Sequence, residues 1–273
     1  MPELPEVQTV VDTLRAGVLR RRVVAVTHVR PDMVTPEGFD LAATLTGRKI
    51  VSLHRRAKRI VFGFDDHTRM YVHLGMTGRL TLERPDAAIA AHTHLIARLG
   101  SGRELRLADP RRFGGIVWMG LSNRHTNIGP EPLTLRPAAL LRRLVRTKRA
   151  VKTALLDQTL VAGIGNIYAD EALHRAGIDP ATPACDLVEA DARRLSRGIK
   201  HVLRKAIRAG GSSIRDYVDA AGRRGGYQNA HRVYGREGKP CEGCRSPIER
   251  VVLGGRSTHF CPQCQPRRGK GGV

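Results

Sequence analysis

The sequence predicts an α+β protein in which one helix and a run of short strands precede a largely helical region. Three features predict it. Residues 5–18 carry apolar side chains at helical spacing, residues from about 22 to 120 form eight short segments rich in β-branched residues, and helical spacing returns from about residue 138. A chain of 273 residues can bury the core of one large domain or of two smaller ones.

The first predicted helix has one apolar face and a favourable start. Five side chains at helical spacing form that face: Val7, Val10, Val11, Leu14 and Val18. Pro5 suits the first helical turn, and Glu3 and Glu6 suit the positive end of the helix dipole. The pattern therefore predicts an amphipathic helix over residues 5–18.

The eight predicted strands are short, and turn residues separate most of them. The segment HLIARL-GSG-RELRLAD, which begins at His94, is the clearest hairpin. Short strands in this number are typical of an antiparallel sandwich or barrel.

The second half of the chain is set apart by a proline-rich segment. Three prolines within residues 127–137 interrupt the pattern, and we interpret this segment as a linker. Four helical segments follow, and Gly177 and Gly210 stand where helices can end. Besides the linker, we expect four parts: an N-terminal domain at 1–126, a helical domain at 138–225, a cysteine-bounded hairpin at 226–266 and a disordered basic tail at 267–273.

The charge of the chain points to a polyanionic partner. Lys and Arg number 47 and Asp and Glu number 25, so the formal net charge is +22. Each phosphate that a Lys or Arg neutralises releases condensed counterions, which favours nucleic acid as the partner. A ribosomal or other RNA-binding protein, or a basic surface that serves solubility, fits the charge as well.

The sequence gives no sign of export or membrane insertion. It has neither a run of about 20 apolar residues nor the basic head and apolar stretch of a signal peptide. We expect a cytoplasmic monomer. In that compartment cysteines are more often metal ligands than disulfides.

Four cysteines near the C-terminus have the spacing of a zinc site. Cys241, Cys244, Cys261 and Cys264 form the pattern CEGC-x16-CPQC. Each pair supplies two thiolates, and four sulfurs close a tetrahedron with no open position. We therefore expect one structural zinc ion; the alternative is four unrelated reduced thiols.

The segment between the cysteine pairs predicts a hairpin. Gly254 and Gly255 mark its turn, which places Arg256 at or beside the tip. In so basic a protein we interpret Arg256 as a nucleic-acid contact in preference to a solvated arginine. His259 is interpreted as an outward-facing hairpin residue.

The N-terminus offers a candidate nucleophile. Removal of Met1 would expose the secondary amine of Pro2, and such an amine can attack a sugar C1′ and form an iminium. A terminal amine has an ordinary pKa near ~8, and the helix dipole and basic surroundings are expected to lower it. The neighbouring Glu3 can transfer a proton. Alternatively, the Pro-Glu start only caps the helix.

An ordered set of motifs then resembles the formamidopyrimidine-DNA glycosylase family over nearly the whole chain. The motifs are MPELPEV at the start, RRAK at 55–58, HLGMTG at 73–78, DPRRFG at 109–114, GPEPL at 129–133, GIGNIYADE at 163–171, VYGREGKPC at 233–241 and the terminal CPQC. The resemblance implies an N-terminal helix on an antiparallel β-sandwich, followed by a helix–two-turn–helix domain with a C-terminal zinc β-hairpin. It also implies damaged double-stranded DNA as the partner.

The resemblance assigns catalytic roles to four residues. Pro2 matches the nucleophile and Glu3 the adjacent acid. Lys58 matches the proton donor for β-elimination, and Arg256 matches the donor for δ-elimination. From the residues alone, Lys58 would be an ordinary strand lysine.

The resemblance also implies DNA contacts. Met76, Arg111 and Phe113 match the group that fills the gap left by a flipped base, although without the family Met76 and Phe113 would be core residues. The residues that match DNA-backbone contacts are His92, Arg111, Lys148, Lys152 and Asn166. Asn166 alone would be interpreted as a helix N-cap.

The sequence departs from the family pattern at two positions. Gln8 stands where the family often has Glu, and Arg215, in the segment 210–229 that resembles the lesion-capping region, stands where some members have Lys. The presence of that segment and of Leu4 favours oxidised purines over the pyrimidine-directed, endonuclease VIII-like branch.

The implied function is excision of 8-oxoguanine and formamidopyrimidines through an N-terminal proline Schiff base, followed by strand cleavage by β,δ-elimination. Zinc is the only cofactor expected. The rival hypotheses are a pyrimidine-directed glycosylase and a zinc-hairpin protein that binds nucleic acid without catalysis.

Overall fold

The computed structural model describes residues 2–214 and 217–267, and the chain divides into two compact units. The first unit comprises Met1–His125 and Ile207–Gln228, and the second comprises Thr126–Ala206 and Asn229–Val273. Among the described helices, none is both long and apolar enough to cross a membrane.

The first unit is a two-sheet sandwich with a helix packed on it. Its helices are α1 (Leu4–Val18) and α2 (Leu41–Leu45). Its strands are β1 (Val23–Val29), β2 (Val34–Thr35), β3 (Ile50–Arg56), β4 (Arg59–Phe64), β5 (Arg69–His73), β6 (Arg79–Glu83), β7 (Thr93–Leu99), β8 (Glu104–Ala108) and β9 (Gly115–Gly120). One sheet has the order β1-β7-β8-β6 and the other the order β2-β9-β5-β4-β3. Helix α1 packs against β3, β4 and β6.

The eight predicted strands are all present, and the β7–β8 hairpin pairs as expected. Two short elements, β2 and α2, were missed because two and five residues are too few to show a periodic pattern. Strand β2 pairs with β9 in parallel, whereas the other pairings described in the sandwich are antiparallel.

Helix α1 confirms the sequence pattern that predicted it. The five apolar side chains of its predicted face are fully buried in the core of the sandwich. Glu3 is the N-cap, Glu6 completes a capping box and Pro5 stands in the first turn. Burial of each such side chain contributes roughly 1.5–3 kcal/mol, so α1 is anchored mainly by its apolar face.

The second unit combines helices with a small hairpin. Its elements are α3 (Pro137–Leu144), α4 (Val151–Leu156), α5 (Asn166–Ala176), α6 (Glu189–Arg208, which ends two residues inside the first unit), β10 (Glu249–Leu253) and β11 (Arg256–Phe260). Gly177, in the left-handed conformation at φ 64°, ends α5 as predicted. A Cβ on Gly198 would lie 2.9 Å from the Ala172 carbonyl oxygen, so glycine permits the close approach of α5 and α6.

The segment Ile207–Gln228 clusters with the sandwich, whereas the predicted boundaries placed residues 138–225 in one helical domain. Hydrogen bonds to the first unit explain the clustering. The Ala220 N–H donates to Thr13 Oγ1 at 3.2 Å, and the Leu82 N–H donates to the Ala220 carbonyl at 3.0 Å.

Candidate active site and zinc centre

The four predicted zinc ligands lie together. The sulfur atoms of Cys241, Cys244, Cys261 and Cys264 all lie within 4.8 Å of one another. Cys244 and Cys261 are 3.3 Å apart, and Cys241 and Cys264 are 3.8 Å apart, each measured between sulfurs. Four thiolates at these separations suit one tetrahedral zinc ion and leave no position for substrate. The expectation of one structural metal site is confirmed.

Backbone groups prepare the cysteines for a metal. The Gly243 N–H donates to Cys241 Sγ and the Cys264 N–H to Cys261 Sγ, each at 3.4 Å. Hydrogen bonds from Ser246 lower the pKa of the Cys244 thiol, whereas burial raises the pKa of the Cys261 and Cys264 thiols. Within the described part of the chain, the buried core here comprises Val233, Cys241, Ile248 and Cys261, with Cys244 and Cys264 packed against it, so the metal has to supply much of the stability.

Arg256 lies at the hairpin tip, as predicted. Gly254 and Gly255 form the turn with φ values of 54° and 72°, and Leu253 pairs with Arg256 across it. The Arg256 side chain is exposed. A Cβ on Gly254 would lie 3.0 Å from the Thr153 side chain, so the turn lies close against α4.

Lys152 lies in the interior of the second unit, and not on the surface that a DNA-backbone contact would require. Its side chain is 0% exposed, and Nζ lies 2.8 Å from Asp170 Oδ1. The same ammonium donates to the Ser257 carbonyl at 2.6 Å and to Thr258 Oγ1 at 2.8 Å. A fully buried ammonium with these partners has no surface to offer a phosphate.

His259 points inward, which corrects the expectation of an outward-facing residue. Its backbone N–H donates to Asp170 Oδ2 at 2.9 Å, and its ring packs edge-on against Tyr234. Thr258 and His259 are both buried because α5 packs against β11 and covers the face that was expected to meet solvent.

Asn166 and Lys148 lie near the N-terminal ends of α5 and α4. Gly165, and not Asn166, is the N-cap of α5, so the N-cap interpretation is wrong. The Asn166 amide donates instead to the Ser257 carbonyl at 3.0 Å, while its buried Oδ1 has no hydrogen-bond partner among the described atoms. Lys148 is exposed.

At the other end of the chain, the residues after Pro2 are held in place by Glu6. Pro2 and Glu3 are buried, and the Glu3 N–H donates to Glu6 Oε2 at 2.8 Å. The second oxygen of Glu6 accepts from the Ser212 N–H at 2.7 Å. Met1 lies outside the described residues, so its removal stays a prediction.

Lys58 lies in the turn between β3 and β4, and it is half-buried. Arg55 fixes this turn, because it donates to the Ala57 carbonyl and to Gln8 Oε1, each at 3.0 Å. Gln8 stands in the second turn of α1. The contact therefore places the Lys58 turn at the N-terminal end of α1, the end that carries Pro2 and Glu3.

The amide of Gln8 suits this position, where the family often has Glu. Its oxygen accepts from Arg55, and its nitrogen donates to Asp12 Oδ1 at 2.9 Å. A carboxylate could accept from Arg55 but could not donate to Asp12.

Met76 and Phe113 are exposed to 37% and 53%, so the core interpretation of these residues is wrong. The two loops that carry them meet, since a Cβ on Gly75 would lie 2.4 Å from the Phe113 carbonyl carbon. The Arg111 guanidinium lies 4.5 Å from the centre of the Phe113 ring, a cation–π contact. The three residues predicted to fill a gap in DNA are thus neighbours.

Asp109, which sequence reasoning did not single out, organises this loop. Its buried carboxylate accepts from the N–H groups of Arg111 (3.2 Å) and Gly114 (2.7 Å) and from the Thr77 hydroxyl. The Asp109 N–H donates to the His92 carbonyl at 3.0 Å, and His92 is exposed with φ 60°. An Asp-Pro step before the loop was the only local signal.

Arg215 lies outside the described residues, and only the start and end of its segment can be placed. The Tyr217 hydroxyl donates to the Glu6 carbonyl at 3.2 Å, and burial raises the pKa of Tyr217. Ser212 and Tyr217 both contact Glu6, so the described flanks of Arg215 are attached to α1.

These features define a class of protein. A highly basic chain, a four-cysteine cluster at a hairpin and an N-terminal Pro-Glu at the end of a buried helix are the features that the resemblance noted above implies for a zinc-containing DNA-repair glycosylase.

Comparisons with known proteins identify the family. The formamidopyrimidine-DNA glycosylase N-terminal domain matches residues 1–116, the H2TH domain of the same family matches 128–218, and a zinc finger found in FPG and IleRS matches 238–267. A formamidopyrimidine-DNA glycosylase of Gluconobacter oxydans (strain 621H) is 44% identical over 276 residues, covering 97% of this chain and 100% of the relative. The chain belongs to the formamidopyrimidine-DNA glycosylase family, which confirms the resemblance.

Solved structures agree over the same length. The MutM (Fpg) protein of Thermus thermophilus is 41% identical with a TM-score of 0.87, covering 98% of this chain and 100% of that one. Wild-type Lactococcus lactis Fpg (MutM), in complex with DNA that contains N7-benzyl-Fapy-dG, is 36% identical with a TM-score of 0.90, covering 97% and 100%. The predicted fold class is confirmed.

Proposed function

We propose that this protein excises oxidised purines from duplex DNA with Pro2 as the nucleophile and then cuts the strand. The observation that carries the proposal is the N-terminal end of α1, where Pro2 and Glu3 are buried, Glu6 fixes the backbone and the Lys58 turn is attached through Arg55. An amine, an acid and a second amine at one end of a helix suit covalent catalysis.

In the first step, the Pro2 nitrogen displaces the damaged base from C1′ of the sugar. Once Met1 is removed, the Pro2 nitrogen attacks C1′, the glycosidic bond breaks and its electron pair leaves with the base. The adduct opens to an iminium between Pro2 and C1′, and Glu3 delivers the proton that the ring oxygen takes up. Such a step requires the target base to leave the helical stack first.

The iminium makes the following eliminations possible. It acidifies the C2′ proton, whose loss expels the 3′ phosphate in the β-elimination that Lys58 assists. In a second elimination, loss of the C4′ proton expels the 5′ phosphate, which takes up a proton from Arg256, and water then releases the sugar from Pro2. The product is a one-nucleotide gap.

DNA contacts are proposed for residues of both units. Met76, Arg111 and Phe113 would fill the place of the flipped base, since apolar wedges stabilise opened steps and an arginine can donate to the orphaned base. The proposed DNA-backbone contacts are His92, Arg111, Lys148 and Asn166, with Arg215 in the lesion-capping segment.

Cleavage of two different lesions distinguishes the purine-directed branch of the family from the pyrimidine-directed branch. Related structures hold carbocyclic 8-oxo-G, Fapy-dG and, in one case, an oxidised pyrimidine. We expect faster cleavage of an 8-oxoguanine duplex than of a matched thymine glycol duplex, measured under single-turnover conditions. The reverse order would assign the pyrimidine-directed branch, and no covalent adduct with either duplex under borohydride would assign a non-catalytic binding protein.

We further propose that the protein acts as a monomer in the cytoplasm, on bacterial nucleoid DNA. The net charge of +22 and the bacterial sources of its relatives support this location.

A further inference from the structure

The second unit contains a buried ion pair that the proposed mechanism does not use. The side chains of Lys152 in α4 and Asp170 in α5 are fully buried, and Lys152 Nζ lies 2.8 Å from Asp170 Oδ1. Removing two charges from water is costly, and such a pair is weak evidence for stability by itself. The contacts of the pair indicate a role other than stability.

Both side chains of the ion pair form hydrogen bonds with strand β11. Lys152 Nζ donates to the Ser257 carbonyl and to the Thr258 hydroxyl, while Asp170 Oδ2 accepts from the His259 N–H at 2.9 Å. Together the two side chains hold three successive residues of β11. The residue that immediately precedes them is Arg256.

The described contacts at the hairpin tip, besides this pair, are the hydrogen bond from the Asn166 amide to the Ser257 carbonyl and the packing of Gly254 against Thr153. The hairpin consists of two five-residue strands, and Val251 and Val252 of β10 are exposed. An isolated two-stranded hairpin is at best marginally stable in water. The cysteines fix the far end of the hairpin, beyond both strands, so the contacts from α4 and α5 act on the end that carries Arg256.

We propose that Lys152 and Asp170 are positioning residues that set the place of the Arg256 guanidinium for δ-elimination. This rests on the proposed function, in which Arg256 donates the proton of that step. Lys152 therefore acts through the hairpin backbone and not through DNA. The prediction is a change in product distribution: loss of the Lys152 donors leaves more β-elimination product and less δ-elimination product.

The test uses two variants and a control. Lys152→Met removes the ammonium and leaves the Asp170 carboxylate unpaired, so it can also destabilise the unit. The double variant Lys152→Met/Asp170→Asn removes both charges and keeps an acceptor for the His259 N–H. Lys205→Met, on α6, removes a lysine that the proposal does not involve.

The readouts are the ratio of δ- to β-elimination product at equal extents of base release, and hydrogen exchange of the amides at 256–260. We expect the double variant to bind zinc and melt near the wild type, yet to show a ratio lower by at least about fivefold, because sub-ångström placement governs such steps. The amides at 256–260 should exchange faster, and Lys205→Met should match the wild type in both readouts.

A double variant with wild-type product ratio and exchange would overturn the proposal, since the pair would then serve stability alone. A wild-type ratio with faster exchange would equally reject a positioning role. If the wild-type protein itself makes no δ-elimination product, the proposed function fails at Arg256, while the exchange data still decide whether the pair holds the tip. In an Arg256→Ala background, Lys152→Met should not lower the ratio further.

Discussion

The two ends of the chain each carry a candidate catalytic group, and the molecule holds them in different ways. Pro2 precedes a helix whose apolar face is buried in the sandwich core. Arg256 is at the tip of a hairpin whose core consists of four residues, two of them zinc ligands. Where apolar burial is ample, packing anchors the helix and hydrogen bonds from Glu6 position its end. Where apolar burial is scarce, a metal site and a buried ion pair hold the group instead.

The largest expected effect is at Pro2 and concerns only chemistry. An extra residue before Pro2 removes the free secondary amine, so base release and strand cleavage should both be lost while DNA binding is largely kept. Pro2→Gly should be slow but active, because a primary amine can form the same type of intermediate. Borohydride trapping followed by peptide mapping is the measurement; a cross-link at Lys58, or full activity with Met1 retained, would contradict it.

The next largest effect is that of zinc removal, which should unfold the hairpin of the second unit and leave the sandwich of the first unit folded. Zinc chelation should unfold the hairpin and abolish DNA binding, because a four-residue core cannot replace the metal. The amides of α1 should keep their exchange protection, since the sandwich core contains no ligand cysteine. Zinc content, exchange and duplex binding are measured together, and normal cleavage by demetallated protein would show that the hairpin does not depend on zinc.

A pair of truncations compares the two kinds of support directly. Leu14→Ala leaves a cavity in the sandwich and should lower the free energy of unfolding by about 2–5 kcal/mol. Val252→Ala, at an apolar position of the hairpin that is 64% exposed, should change it by less than about 0.5 kcal/mol. Denaturant titration measures both, and similar losses would mean that the hairpin depends on apolar packing after all.

The smallest expected effect is on selectivity at the exposed loop. Phe113→Ala should reduce cleavage of a paired 8-oxoguanine by roughly tenfold relative to cleavage of an abasic site, where less must be displaced. Met76→Ala should act in the same direction. Ile89→Ala, another exposed apolar side chain of the first unit, is the control. If the variant melts at a lower temperature but its ratio of 8-oxoguanine cleavage to abasic-site cleavage is unchanged, Phe113 has a structural role only.

Local patterns predicted α1, the eight strands and the zinc ligands. The four valines and one leucine on the buried face of α1 repeat at the helical period, and the cysteine spacing fits a tetrahedron whatever surrounds it. The Gly254-Gly255 turn placed Arg256 for the same reason, because two residues with positive φ define the tip of a hairpin by themselves.

The burial of individual side chains could not be predicted from these local patterns. Lys152 has the composition of a surface residue, and no neighbour in sequence indicates that Asp170 and β11 enclose it. Met76 and Phe113 have the composition of core residues, yet Asp109 arranges a loop that leaves Phe113 exposed. Their burial depends on partners that are distant along the chain, and composition does not identify such partners.

The sequence by itself therefore determined most of the elements and the metal site, because periodicity, turn residues and ligand spacing are local patterns, and its ordered motifs indicated the family. Only the tertiary structure decided that Lys152 faces the protein interior, that His259 turns inward and that Met76 and Phe113 lie together. Each of these outcomes depends on which distant elements pack against one another in the folded chain. Whether a charged or an apolar side chain is buried is decided by that packing.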